Sequence, residues 1–160
     1  MPRHRHVVHR EEVPPVERVQ GQRFAFTGRR LGAAAQAQRL GCSLYQVPPG
    51  KTGFPHHRHH ANEEGIYILT GQGTLRLDDE RVPVGPGDYI ALPPGGPAHQ
   101  LLNTGSAVLE YLCFSTMISP EVVEYPDSNK VAALAGTFEK PLLRAIYRKG
   151  DTVDYMEGED

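Results

Sequence analysis

At 160 residues and 17.7 kDa the chain is long enough to bury one core and too short for two well-formed domains. Seventeen Lys plus Arg against nineteen Asp plus Glu leave a formal charge of −2, which excludes the basic surplus that drives phosphate-backbone binding, so nucleic acid is not an expected partner. Seventeen Gly, fourteen Pro and no Trp favour short segments joined by sharp turns over long helices, and an all-β fold is expected.

The segment Met1–Arg10 is polar and basic with no apolar run behind it, so it does not read as a secretory leader, and no stretch is long enough to span a bilayer. A soluble, cytoplasmic protein without membrane partners is the expectation. Residues 1–38 read as an N-terminal extension: Glu11-Glu12-Val13-Pro14-Pro15 is a loop, and the small-residue run 32–38 is weakly patterned, with room for a strand or a short helix.

Residues 39–116 change in texture to short apolar runs punctuated by Gly and Pro at intervals of about ten residues, the pattern of an all-β domain. Strands are expected near 41–47, 56–60, 65–70, 73–77, 80–84, 88–92, 97–103 and 108–114. Gly71-Gln72-Gly73 supplies positive φ for one hairpin and Asp78-Asp79 suits the next, so neighbouring strands should pair antiparallel. Cys42 and Cys113 sit in apolar surroundings outside any C-x-x-C pair and read as buried thiols. Residues 117–160 form a looser C-terminal extension with one strand candidate at 142–147, expected to pack on the domain or on a partner subunit.

Five of the eight histidines bear on one chemical idea. In the run from His56 to Glu64, strand alternation puts His57 and His59 on one face and His56, Arg58 and His60 on the other. Two imidazoles at that spacing can converge on one ion, and a carboxylate after a short turn can complete the set. Glu64 heads an alternation with Ile66 and Ile68, so its carboxylate faces an apolar interior, which is costly unless the group is paired or bound to metal. The eleven residues from Phe54 to Glu64 also describe a solvated His-rich loop with incidental metal affinity. Farther along, His99 follows the rigid turn Pro93-Pro94-Gly95-Gly96 and shares a face with Leu101 and Asn103; taken alone it also describes a hydrogen-bonded core histidine.

Together these residues resemble the two signature motifs of the cupin superfamily. The first, G-x-x-x-x-x-H-x-H-x-x-x-x-E-x-x-x-x-x-x-G, is matched by His57, His59, Glu64 and Gly71; the second, G-x-x-x-x-x-P-x-G-x-x-H-x-x-x-N, by Gly87, Pro93, Gly95, His99 and Asn103. Two single-residue insertions depart from the pattern, one between Gly50 and His57 and one between Gly95 and His99; neither removes a ligand type.

The resemblance implies a double-stranded β-helix, a jelly-roll-like barrel over residues 39–116, holding one divalent metal (Mn, Fe, Zn, Ni or Co) on His57, His59, Glu64 and His99. His56, His60 and Glu63 fall outside that ligand set, and no catalytic base is assigned. The segments Leu40–Tyr45 and Pro94–Gln100 look like those of small bacterial single-domain cupins related to sugar-phosphate (mannose-6-phosphate) isomerases. That implies a small-molecule ligand, a sugar or sugar phosphate, with Lys51, Arg58 and Arg76 as candidates for the phosphate. The alternatives are a metal-dependent dioxygenase and a non-catalytic metabolite-binding or sensor protein. The length of the two extensions beyond the barrel suggests a homodimer.

Overall fold

A computed structural model describes residues 3–137 and 140–159; Met1, Pro2 and Asp160, the outermost residues of the two extensions, lie outside the described residues. In chain order the strands are β1 (Val16–Gln20), β2 (Phe24–Arg29), β3 (Gly41–Val47), β4 (Arg58–His59), β5 (Glu64–Thr70), β6 (Gly73–Leu77) and β7 (Glu80–Val84). They continue as β8 (Tyr89–Leu92), β9 (His99–Leu102), β10 (Leu109–Ser115), β11 (Glu121–Tyr125), β12 (Lys130–Gly136) and β13 (Pro141–Arg148). One four-residue helix, α1 (Leu31–Ala34), and two 3-10 turns are the described helical elements, none of them long and apolar enough to cross a membrane.

The expected all-β architecture is present, and β3, β6 and β7 fall where the turn chemistry puts them. Gly71 takes φ +81°, and a Cβ there would run into the Val108 carbonyl, so glycine is required for β5 to turn into β6. Asp78, at φ 47°, opens the β6–β7 turn. Pro83 is tolerated because β7 is an edge strand, with one side free of ladder bonds.

A six-stranded sheet (β1-β2-β3-β10-β5-β8) and a three-stranded sheet (β7-β6-β9) share one core. Val47, Ile66, Ile68, Ile90, Leu92, Leu109 and Tyr111 come from the first sheet, and Leu75, Val84 and Leu101 from the second. The four-stranded sheet β13-β12-β11-β4 stands beside them. Apart from β4 it is built from the loosely patterned tail, where β11 and β12 are found in addition to the expected 142–147 strand. At the other end β1 and β2 extend the six-stranded sheet through β2 and β3.

The expected strand at 56–60 shrinks to β4, two residues paired with Val123 and Glu124 of β11. His57 instead makes an isolated bridge to His99, donating its N–H to the His99 carbonyl at 3.0 Å and accepting in return at 2.7 Å. The two cysteines are free and half-buried, less enclosed than their apolar neighbours suggest.

The N-terminal segment is tied down by one ion pair. Arg10 donates through Nη1 and Nη2 to the two oxygens of Glu110 at 2.8 and 2.6 Å, and Gln46 adds a third bond at 2.7 Å. The Arg10 guanidinium holds the Glu110 carboxyl below its usual range despite burial. A carboxylate with a lowered pKa contributes stability that is present above the unfolded value, about 4.3, and lost as the pH falls through the folded one. Arg10→Ala is therefore expected to cost about 1 kcal/mol near neutral pH, discounted for the exposed arginine. The gap between variant and wild type in urea melts should close as the pH drops below 4.

Candidate metal centre

Three chain segments bring the site together. Glu64 opens β5, between Leu92 of β8 and Ser115 of β10. His99 opens β9, opposite Leu77 of β6. His59 ends β4, and His57 reaches the same place through its bridge to His99. The Pro93–Gly96 turn locks the two motifs together, because Gly95, at φ +69°, donates its N–H to the His59 carbonyl at 2.8 Å.

His57, His59, Glu64 and His99, the four residues singled out in the sequence, offer ligand atoms that all lie within 4.8 Å of one another. Glu64 Oε2 is 3.3 Å from His99 Nε2 and 3.5 Å from His59 Nε2. The His57 ring centroid is 4.4 Å from that of His99 and 5.0 Å from that of His59. The remaining candidates point elsewhere. His56 is buried on the other side, its Nδ1 3.3 Å from Asp127. His60 Nε2 lies 3.0 Å from Glu124, and Glu63 is exposed.

The electrostatics agree with a group assembled around charge. Burial opposes ionisation of Glu64, but the imidazoles of His59 and His99 outweigh it and hold the carboxyl far below its usual range. Burial also works against a charged His59, and the carboxylates of Glu64 and Glu121 overcome it, raising the imidazole pKa. His57 has no such carboxylate hydrogen bond; burial and the neighbouring His99 lower it to about 4. It is thus neutral near pH 7. Its Nδ1 lies 2.8 Å from the Pro55 carbonyl, which can only accept, so Nδ1 carries the proton and Nε2 keeps its lone pair.

These residues fit a divalent ion. Bonds of about 2.1 Å put neighbouring ligands roughly 3 Å apart and opposing ligands near 4.2 Å, so small side-chain movements close the present spacing. Both ring nitrogens of His59 are buried without an aligned hydrogen bond, an expense that coordination would remove for one of them. Three imidazoles and a carboxylate are a donor set for a transition-metal ion.

The group stands in a cavity of about 350 Å³. Its other walls include Tyr45, Phe54 and Tyr111 on one side and Val123, Tyr125 and Leu134 from the β11–β12 hairpin. Burial pushes the Tyr45 hydroxyl up to about 12 and also raises Tyr111 and Cys113, so these groups stay protonated. The phosphate candidates from the sequence do not line this cavity. Lys51 donates to the Gln22 carbonyl, Arg76 grips Asp127 at 2.8 and 3.0 Å, and Arg58 lies near Asp78 and Glu124.

Sequence reasoning missed the hairpin residues and Glu121, because cross-sheet neighbours leave no local spacing. The one available signal was the alternation Glu121, Val123, Tyr125, which puts a carboxylate in line with apolar residues as at Glu64.

Residues 43–115 match the family model of the cupin domain, Cupin_2. A crystal structure of a candidate sugar phosphate isomerase from Acidithiobacillus ferrooxidans is similar with a TM-score of 0.80 and 25% identity, over 94% of this chain and 96% of that one. Among curated proteins, quercetin 2,3-dioxygenase of Bacillus subtilis is 34% identical over 97 residues, 58% of this chain and 28% of the relative. The oxalate-binding protein of Thermotoga maritima is 34% identical over 67 residues, 42% of this chain and 54% of that protein. The chain spans about half or less of the length of the curated relatives it matches. With both motifs in order, their four side chains convergent and the surrounding strands in the matching arrangement, residues 43–115 of this chain carry a cupin domain.

Proposed function

We propose that the protein binds one divalent metal on His57, His59, Glu64 and His99 and uses it to act on a small metabolite through two adjacent oxygen atoms, as in an α-hydroxycarbonyl compound. The observation that carries this reading is the convergence of the four ligand atoms at the wall of one cavity. A bound ion supplies Lewis-acid polarisation of a carbonyl, with coordination positions left beyond the four protein ligands. His57 keeps Nε2 available because Pro55 holds the opposite proton. Tyr45, Phe54, Tyr111 and Tyr125 enclose the carbon skeleton and exclude water, and the protonated Tyr45 hydroxyl is a donor rather than a base.

Sugar or sugar-phosphate isomerisation is the form of this activity we favour, supported by the full-length likeness to the Acidithiobacillus protein. Dioxygenase chemistry is the second reading, supported by the quercetin 2,3-dioxygenase match and by the aromatic walls. We also propose a homodimer, since the edge strand β13 exposes Leu142, Leu143, Ile146 and Tyr147. Light scattering that gives a mass of 17.7 kDa, a single chain, would remove it.

The test is elemental analysis of protein purified without added metal or chelator, followed by turnover assays on aldose and ketose phosphates and on flat ortho-diphenols, with and without air. One equivalent of metal and air-independent sugar isomerisation is the expected result. Oxygen consumption dependent on iron would favour the second reading, ligand binding without turnover a sensor, and protein free of metal would overturn the proposal.

A further inference from the structure

Glu121 is 5% exposed, and its carboxylate is the most heavily used acceptor near the site. Oε1 accepts the backbone N–H groups of His60 and Ala61, each at 3.1 Å, and Oε2 accepts that of Asn62 at 2.8 Å together with the Asn62 side-chain amide. Oε2 also stands 3.4 Å from His59 Nδ1, on the opposite side of the ring from Glu64, which faces Nε2. One carboxylate thus holds three consecutive peptide groups of the loop between His59 and Glu64 and faces the ring nitrogen of His59 that points away from the centre. Three backbone N–H groups and one side-chain amide donate to it, which offsets the cost of burying a carboxylate there.

We propose that Glu121 is the positioning residue of the centre: it fixes the proton of His59 on Nδ1 and presents Nε2 to the metal. The proposal rests on the reading of the four-residue group as a metal centre. Neither sequence motif contains Glu121; it arrives from β11, whose Val123 pairs with His59 itself. At 3.4 Å the contact is short of an aligned hydrogen bond, and a small ring rotation on metal binding would complete it; an imidazole bonded to a carboxylate through its remote nitrogen is both oriented and made a stronger ligand. The geometry also explains why His59 binds no other partner: its two nitrogens are each flanked by a carboxylate, one belonging to the centre and one behind it.

The test uses the full chain with zinc as the probe. In the zinc-loaded wild type, nitrogen-15 NMR should find His59 bound through Nε2 with the proton on Nδ1; coordination through Nδ1 would overturn the proposal whatever the variants do. Competition against a chromophoric chelator should show Glu121→Ala, and Glu121→Gln if the first fails to fold, binding zinc 10- to 100-fold more weakly. Asn62→Ala is the control for a merely structural role. It removes the side-chain bonds of Asn62 to Ile118, Thr116 and Glu121 Oε2, but leaves the carboxylate facing His59 and held by the backbone N–H groups of His60, Ala61 and residue 62. That variant should melt earlier yet bind zinc near the wild-type level; an equal loss of zinc in Asn62→Ala and Glu121→Ala would refute the assignment. Failure of the underlying reading is separable, because the wild type would then take up no stoichiometric zinc.

Discussion

Replacing His59 or Glu64 by alanine is expected to abolish stoichiometric metal, while His56→Ala leaves the metal content of the purified protein unchanged. The contrast follows from position rather than residue type. His56 is three residues from His59 and more deeply buried, at 3% exposure, but its ring faces Asp127, the carboxylate that Arg76 also grips, on the far side of the segment. Glu64 is the only carboxylate among the four convergent groups, and its ionised form is held there by His59 and His99. Without it the ion meets three neutral or cationic imidazoles in an apolar cavity, and the desolvation of the ion is no longer offset. The loss should exceed the 10- to 100-fold typical of residues behind the ligands. A thermal-shift series adds a second readout: metal at one hundred times its dissociation constant stabilises the native state by about 2.7 kcal/mol, and that increment should vanish in His59→Ala and Glu64→Ala but persist in His56→Ala. Equal metal loss in all three variants would show that the two faces of the segment are wrongly assigned.

The second large effect is structural. Asn103→Ala should destabilise the fold by about 3 to 5 kcal/mol, the sum of several buried groups left unpaired. Asn103 is 1% exposed. Its Nδ2 donates to the carbonyls of Val47 and Ala107 at 2.7 and 2.8 Å, and its Oδ1 accepts the Gly105 N–H at 3.0 Å. It thereby ties the end of β3 to the turn between β9 and β10. Asn103→Asp is the sharper variant: it keeps the shape and the bond from Gly105 but has no donor for the two carbonyls, and it buries a negative charge against them. For a chain of this size the melting temperature should fall by roughly 2 to 4 °C for each kcal/mol, so a drop of about 10 °C is expected for alanine and at least as much for aspartate. A drop of only a degree or two would mean that water replaces the side chain at no cost.

The local sequence determined a good deal of this protein. Strands β6 and β7 follow from apolar runs bounded by Gly71 and Asp78, since turn residues act within four positions and need no distant partner. Alternation grouped His57 with His59 and set His56 apart, and the structure keeps that grouping although only Arg58 and His59 form a strand, because the bridge of His57 to His99 extends the same pleat by one residue. The spacing of the two motifs sufficed to select Glu64 over Glu63.

Other features depended on contacts between distant segments. The hairpin of β11 and β12 closes one side of the cavity with Val123, Tyr125 and Leu134, yet it lies in the part of the chain with the weakest pattern. Its strands form because β4 and β13 flank them, and pairing partners are not written in the paired segment itself. The three basic candidates for phosphate lost that role for the same reason: whether a lysine or arginine is available is decided by which carboxylate or carbonyl the fold brings next to it. Glu121 is the converse case. An acidic residue in a turn-rich tail looks like surface charge until the β11–β4 pairing sets it behind His59. Residue types and short-range periodicity thus determined the elements and the candidate ligand group, whereas tertiary packing decided what surrounds that group, because coordination and burial are properties of many segments meeting at one point in space.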